Sequence, residues 1–483
     1  MVVPAERIGP PAAPTRAVRL RRLLTTERPR PDLVRSRPWA WRLAVATVCF
    51  GAFMGQLDAS IVTLTYRSLG GEFHTSPAGV EWVSLAYLLT LVALLVPVGR
   101  LSDVHGRKLL YLYGFAVFTA ASAVCGLAPG LGALVAFRVV QAVGAALMQA
   151  NSVALVATSA PPHRMRAALG VQAAGQAIGL ALGPTVGGAL VATLGWRWVF
   201  GVNVPVGILA LVAGHYLLPR TCGRAVAART DVPGVALLAA ASTAGLLALS
   251  VVSGLGPPPW TALLLAVSAG LAGGAFLRRQ RRCPAPLIDL RLLRAARIGP
   301  GLLAGLCGYL VLFGPLVLVP VALAGPAGSD GSTLATGLVL TALPVGFAIA
   351  ATGAERLLPP GWSDVRRSRA GAAGCVGALL LMALLPWQAA LLPGPLALLG
   401  LALGTFVPAN NTLVMRAVPA AAAGTGGGMV NMTRGLGTAI GVAAVTLALH
   451  LVPGPDGVRV AVLTLAAFAL LALATTCRDR PGP

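Results

Sequence analysis

Three consecutive stretches decide the fold: VEWVSLAYLLTLVALLVPVG at 80–99, RLSDVHGRK at 100–108 and LLYLYGFAVFTAASAVCGL at 109–127. Each flanking run is close to the ~20 apolar residues needed to cross a bilayer. The nine residues between them are polar and basic. An apolar span must satisfy its own backbone hydrogen bonds, so helices are expected, and the alternation of a β-barrel strand is absent.

The rest of the chain repeats this design. Of 483 residues, 57% are hydrophobic and 11% charged, with a mean hydropathy of +0.82. A soluble protein carries roughly 25% charged residues, so there is too little charge here to coat a soluble fold. That excludes a cytosolic enzyme and a string of soluble domains. The net charge of +23, from 37 basic and 14 acidic residues, would suit nucleic acid in a soluble protein. Here the basic residues lie between apolar runs, as in the cytoplasmic loops of a membrane protein, and no nucleic-acid partner is expected. The seven cysteines have no metal-ligand spacing, so neither a metal site nor a disulfide framework is expected. No secretory signal peptide is expected either.

Fourteen spans follow, near 43–66, 80–99, 109–127, 131–158, 167–193, 198–217, 233–254, 259–277, 299–323, 334–353, 371–386, 390–412, 423–449 and 458–476. With the N-terminus inside, 32 basic residues fall on the cytoplasmic side. Three (Arg67, Arg197, Arg459) fall outside, and two (Arg138, Arg434) lie within spans. This asymmetry fixes an even helix count and places both termini in the cytoplasm. The expected organisation is a disordered basic tail at 1–42, a six-helix bundle at 43–217, two extra helices with a linker at 218–297, a second six-helix bundle at 298–477 and a tail at 478–483. The fifth and thirteenth spans, GQAIGLALG at 175–183 and RGLGTAIGVA at 434–443, look like counterparts in two halves.

Several segments carry chemistry. In the 99–108 loop, Gly99 and Gly106 permit a tight turn. Asp103 there can face a helix N-terminus or an arginine as a breakable latch, beside Arg107 and Lys108. Arg138 in the fourth span, ahead of Gln141, is costly in lipid unless paired. Gly175, Gly179, Gly183 and Gly187 fall along one helix face, with Gly188 adjacent, and allow close approach of a neighbour. Pro184 removes a backbone bond and bends the helix. Asn431 and Arg434 lie near the middle of the thirteenth span, where they are candidates to line a substrate cavity with Gln141.

These motifs resemble those of the major facilitator superfamily. The 99–108 segment is similar to its cytoplasmic loop signature, Leu134-xxx-Arg138-xx-Gln141 to its fourth-helix motif, and residues 175–188 to the signature of its exporters and antiporters. Leu57-Asp58-x-Ser60, Trp82-Val83-xx-Ala86-Tyr87, Trp196 to Gly207, Pro286 to Leu292, and Asn431-xx-Arg434-xx-Gly437-xxx-Gly441 resemble its fourteen-helix drug/proton antiporter branch. The first-helix motif departs from the branch at Thr63 and Arg67, and the tenth span lacks the acid some relatives carry. The resemblance implies an all-α fold of two six-helix bundles plus two helices in the cell membrane. It also implies proton-driven export of small amphipathic or apolar compounds such as antibiotics, by a functional monomer with no cofactor.

Only Asp58 among the acids lies deep in a span, so it is the expected proton carrier, with Arg138 tuning it at nearly the same depth. No GxxxxGK[ST] loop offers a nucleotide site. Uptake or facilitated diffusion of a metabolite is the alternative transport reading. A polytopic membrane enzyme is a third, for which no acidic pair or histidine cluster is visible. Cysteines placed at Ser36 and Ser329 should label from opposite sides of the membrane; labelling from one side overturns the fourteen-helix count.

Overall fold

A computed structural model describes residues 27–477 apart from 222–230, 253–257, 259, 295–297, 324–331, 360 and 453. The first 26 residues of the basic tail, Ser329 with its connection, most of the 218–229 linker and the 478–483 tail therefore lie outside the described residues. Every long element is a helix: α1 (Ala40–Ile61), α2 (Pro77–His105), α3 (Arg107–Gly126), α4 (Leu131–Ser159), α5 (Met165–Thr193), α6 (Asn203–Leu217), α7 (Val232–Val252), α8 (Trp260–Arg282), α9 (Ile298–Leu323), α10 (Ser332–Leu357), α11 (Asp364–Leu384), α12 (Pro393–Ala417), α13 (Ala423–Leu451) and α14 (Pro455–Cys477). Among the described residues, thirteen spans are long and apolar enough to cross a membrane, and α5 makes a fourteenth when its two segments are read as one. The chain enters α1 and leaves α14 on one side, here the terminal face; the other is the distal face.

Two helix boundaries differ from expectation by more than five residues. Residues 99–105 are not loop: α2 runs on to His105, and only Gly106, at φ 105°, breaks the helix before α3. A left-handed φ is cheap for glycine alone. Gly99 instead serves close packing, because a Cβ there would strike the Gly424 carbonyl on α13. The second boundary is α11, which starts at Asp364 rather than near 371, capped by the Ser363 hydroxyl on the Arg366 N–H at 3.3 Å.

Residues 27–39 correct the expectation of a wholly disordered tail. Glu27 is buried, accepting from the Thr221 hydroxyl at 2.7 Å and the Leu109 N–H at 3.3 Å. Arg30 donates to the Leu217 carbonyl at 2.6 Å, and Lys108 donates to the Arg28 carbonyl at 2.9 Å. A buried acid with several donors holds this end of the tail against the terminal ends of α3 and α6.

The helix pairings repeat. In the first half α1 packs on α5, α2 on α4, α3 on α4 and on α6; in the second, α9 packs on α13, α10 on α12, α11 on α12 and on α14. Adding eight to each helix number converts one set into the other, so α5 and α13 are counterparts. The halves meet where α2 crosses α13 and α5 crosses α10, while α7 lies on α2 and α13 with α8 packed outside it. Asp231 ties that pair together, accepting from Arg279 at 2.7 Å and Gln280 at 3.0 Å. Burial works to raise its carboxyl, but the bonds from Arg279, the Gly234 amide and Gln280 outweigh that and hold it below the ordinary value.

Glycines set the spacing inside each half. A Cβ on Gly179 would stand 2.5 Å from the Phe53 carbonyl on α1, and one on Gly187 2.6 Å from Ile61 Cγ1. Gly183 faces Ser60, whose hydroxyl donates to the Leu180 carbonyl at 3.2 Å. In the second half Gly441 lies as close to Leu310 on α9. Gly175 makes only ordinary contact with Cys49, and Gly188 has nothing within 4 Å, so it is not part of the packed face. A bend of 40° separates Gly183 from Thr185, at Pro184. Gly183→Leu should therefore force α1 from α5 at an overpacking cost of ~1–3 kcal/mol, lowering the thermal midpoint of the purified protein. Gly188→Leu should leave it unchanged, and equal effects from the two would overturn this assignment.

Candidate functional site

Asp58 lies about one turn before the end of α1, which continues as a helical extension over Val62–Glu72; it is fully buried, and Arg138 on α4 is 1% exposed. Arg138 Nη1 lies 2.7 Å from Asp58 Oδ2, and its Nε donates to the Val83 carbonyl on α2 at 3.2 Å. Two further donors complete the carboxylate: Gln141 Nε2 at 3.1 Å and Asn203 Nδ2 on α6 at 2.8 Å, both to Oδ1. Gln141 is itself fixed, accepting from Arg138 at 2.6 Å and donating to Ser122 Oγ on α3 at 2.8 Å. The Tyr87 ring closes over the guanidinium with a centroid distance of 4.0 Å. Five helices thus surround one ion pair. Neutralising either member leaves the other buried without a counter-ion, at a cost of roughly 3–5 kcal/mol.

A second cluster crosses between the halves. Arg434 on α13 donates to Gln149 Oε1 on α4, and Asn431 donates to the Gln149 carbonyl at 2.8 Å. Arg434 is 6% exposed, and no carboxylate among the described residues pairs with it. Gln141, expected beside these two, belongs instead to the Asp58 cluster, two turns of α4 away. One helix therefore carries both groups.

The terminal face is held shut twice. Asp103 accepts from the Gly424 N–H at 2.7 Å, the Thr425 N–H at 2.8 Å and the Thr425 hydroxyl at 2.8 Å, at the N-terminus of α13. An acid there meets both unpaired amides and the positive end of the helix dipole. Arg107 clamps Asp103 at 3.0 Å and reaches the Ala420 carbonyl at 2.6 Å. Lys108 faces away, donating to the His215 and Leu218 carbonyls, each at 2.8 Å. The second closure is Asp364, with Arg166 of α5 and Arg416 of α12 each at 2.7 Å. On the distal face Glu72 holds Arg197 at 2.7 Å within the first half.

Sequence reading brought Asp58 and Arg138 together but missed Gln149, Ser122, Asp364 and Glu27. Gln149 and Ser122 are neutral residues among many in apolar runs and give no signal. Asp364, an acid followed by three arginines at a span boundary, does give one.

Residues 48–442 match the Major Facilitator Superfamily. The tetracenomycin C resistance and export protein of Streptomyces glaucescens is 31% identical over 427 residues, covering 85% of this chain and 76% of that protein. The riboflavin transporter RibZ of Clostridioides difficile is 29% identical, covering 83% and 86%. The crystal structure of the human organic anion transporter MFSD10 superposes with a TM-score of 0.64 at 19% identity, covering 91% of this chain and all of that one.

Removing the Asp103 carboxylate deletes three interhelical acceptor contacts, each worth ~1.5–3 kcal/mol for a charged group. In Asp103→Ala, a cysteine at Gln149 should label at least about tenfold faster from the terminal face. An unchanged rate would mean that this contact does not hold the halves together.

Proposed function

The chain belongs to the major facilitator superfamily, and on that premise we propose that it is a proton-driven exporter of small amphipathic or apolar compounds. Family and fold are those of transporters rather than enzymes, and the protein is a multi-pass membrane protein acting on small molecules. The observation that carries the finer reading is the Asp58–Arg138 pair. It holds the one carboxylate that is fully buried in mid-span among the described residues.

When Asp58 is ionised, Arg138, Gln141 and Asn203 hold α1, α4 and α6 together. Protonation removes the charge and releases Arg138. The movement is carried along α4, whose Gln149 holds Arg434 and Asn431 of the other half. Opening the seam between α4 and α13 bares Arg434 and Asn431 to substrate, and closing it on the terminal face re-forms the Asp103 latch. With that face cytoplasmic, as the positive-inside rule leads one to expect, the closed latch corresponds to a site open away from the cytoplasm.

Export is supported by the Streptomyces glaucescens relative, a resistance and export protein. The riboflavin transporter of similar identity favours a second reading, movement of a vitamin-like metabolite. Accumulation of tetracenomycin C and of riboflavin in a host lacking its own pumps, with and without a protonophore, separates the two. The expected result is lowered tetracenomycin C accumulation that the protonophore abolishes. Asp58→Asn should lose this while retaining normal abundance in the membrane. Protonophore-insensitive export, or full export by Asp58→Asn, would overturn the mechanism.

A further inference from the structure

The buried pair poses a supply problem, since neither Asp58 nor Arg138 touches solvent. Three buried polar atoms share one helix beside the pair, Glu81 Oε2, Ser84 Oγ and Tyr87 Oη of α2; none has a well-aligned partner among the described residues, and Ser84 lies in reach of the Tyr66 hydroxyl. Successive members are three residues apart, so they descend in a slanting line at ~4.5 Å per step. Glu81 stands on the second turn of α2, near the distal face, and is partly exposed. Tyr87 is 3% exposed and lies over Arg138. Buried polar groups ordinarily find a protein or water partner, and a row of them between solvent and a sealed carboxylate has the chemistry of a water file.

We infer that Glu81, Ser84 and Tyr87 form the route by which protons reach Asp58 from the distal face, with Glu81 as the outer acceptor. The inference rests on the proton-coupled reading above. A proton from distal water binds the Glu81 carboxylate and passes through waters held by the Ser84 and Tyr87 hydroxyls to the Asp58 carboxylate. Asp58 becomes a neutral acid, its pairing with Arg138 ends, and Glu81 returns to its ionised form. The charged and titratable groups along the route come from each neighbouring element. They are Tyr66 of the α1 extension, beside Glu81 and Ser84; Asp58 of α1, Arg138 of α4 and Arg434 of α13 around Tyr87; and Cys125 of α3 near the pair. α7 contributes none.

Two measurements on the full-length protein in proteoliposomes test the route. The first places a cysteine at Ser84 with the seven native cysteines replaced, and adds a small membrane-impermeant thiol reagent on the distal side. Modification is expected; a cysteine that stays unmodified overturns the water file, whatever the transported compound. The second uses tetracenomycin C as probe and compares transport driven by a pH gradient with exchange at equilibrium. Glu81→Gln should lower gradient-driven transport at least about tenfold and exchange less than about twofold, with Glu81→Asp restoring the drive. Parallel loss of both activities, or loss of neither, overturns the role of Glu81. A wild-type protein indifferent to the gradient instead overturns the proton-antiport reading and this inference with it. A wild type that responds while Glu81→Gln responds equally overturns only the Glu81 route.

Discussion

A guanidinium and a carboxylate buried together in mid-membrane form the interaction on which the rest of this structure is arranged. Neither charge is tolerable alone at that depth, so each surrounding helix supplies what the pair lacks. α1 brings the acid and α4 the arginine; α6 and α3 bring amide and hydroxyl partners, and α2 brings a carbonyl and an aromatic face. The first six helices are therefore packed around a polar centre rather than an apolar one. A fully satisfied buried network is rigid, and the same low dielectric makes it intolerant of losing one charge. Those two properties together suit the switch proposed above.

The second half has the same helix pairings without the same centre. α13 is the counterpart of α5, and its glycines press on α9 as those of α5 press on α1. Yet its arginine, Arg434, reaches out of its own half to Gln149 rather than to an acid within it. The asymmetry divides the labour. One half contains a closed ion pair, and the other presents at the seam a cation with no carboxylate partner among the described residues. α4 joins them, because Arg138, Gln141 and Gln149 lie along one rod.

Much of this was legible in the sequence. Hydropathy and the charge count give the helices and their alternation, because lipid forbids unsatisfied backbone and leaves few alternatives. Asp58 and Arg138 were legible because a charge in an apolar run is conspicuous, and counting residues from the span ends puts both at one depth. What escaped reading is the set of contacts made by unremarkable residues. Gln149 and Ser122 matter through where their helices cross, which periodicity does not report. Gly99 was read as a turn residue because it borders a polar segment; its place is set by a tertiary approach to Gly424, and the helix continues through it. Glu27 is buried through a fold of the chain onto α3 and α6, where local composition pointed to disorder.

The two kinds of charged contact differ in burial, and that difference suits their positions. Asp58 and Arg138 are sealed, so separating them is costly, and on the proposed reading the arrival of a proton at Asp58 lowers that cost. The Asp364 contacts sit at the terminal face with arginine partners that are 21% and 48% exposed. Asp364 itself is buried, but its arginines reach water, which replaces these contacts when the halves part. Asp103 is intermediate: it is buried, but its partners are helix-end amides that water satisfies once the halves separate. A molecule that must open on one face in response to an event inside it needs this order, a central contact that a change of charge breaks and rim contacts that water can replace. With the reverse order, the rim would hold the halves shut whatever the state of Asp58.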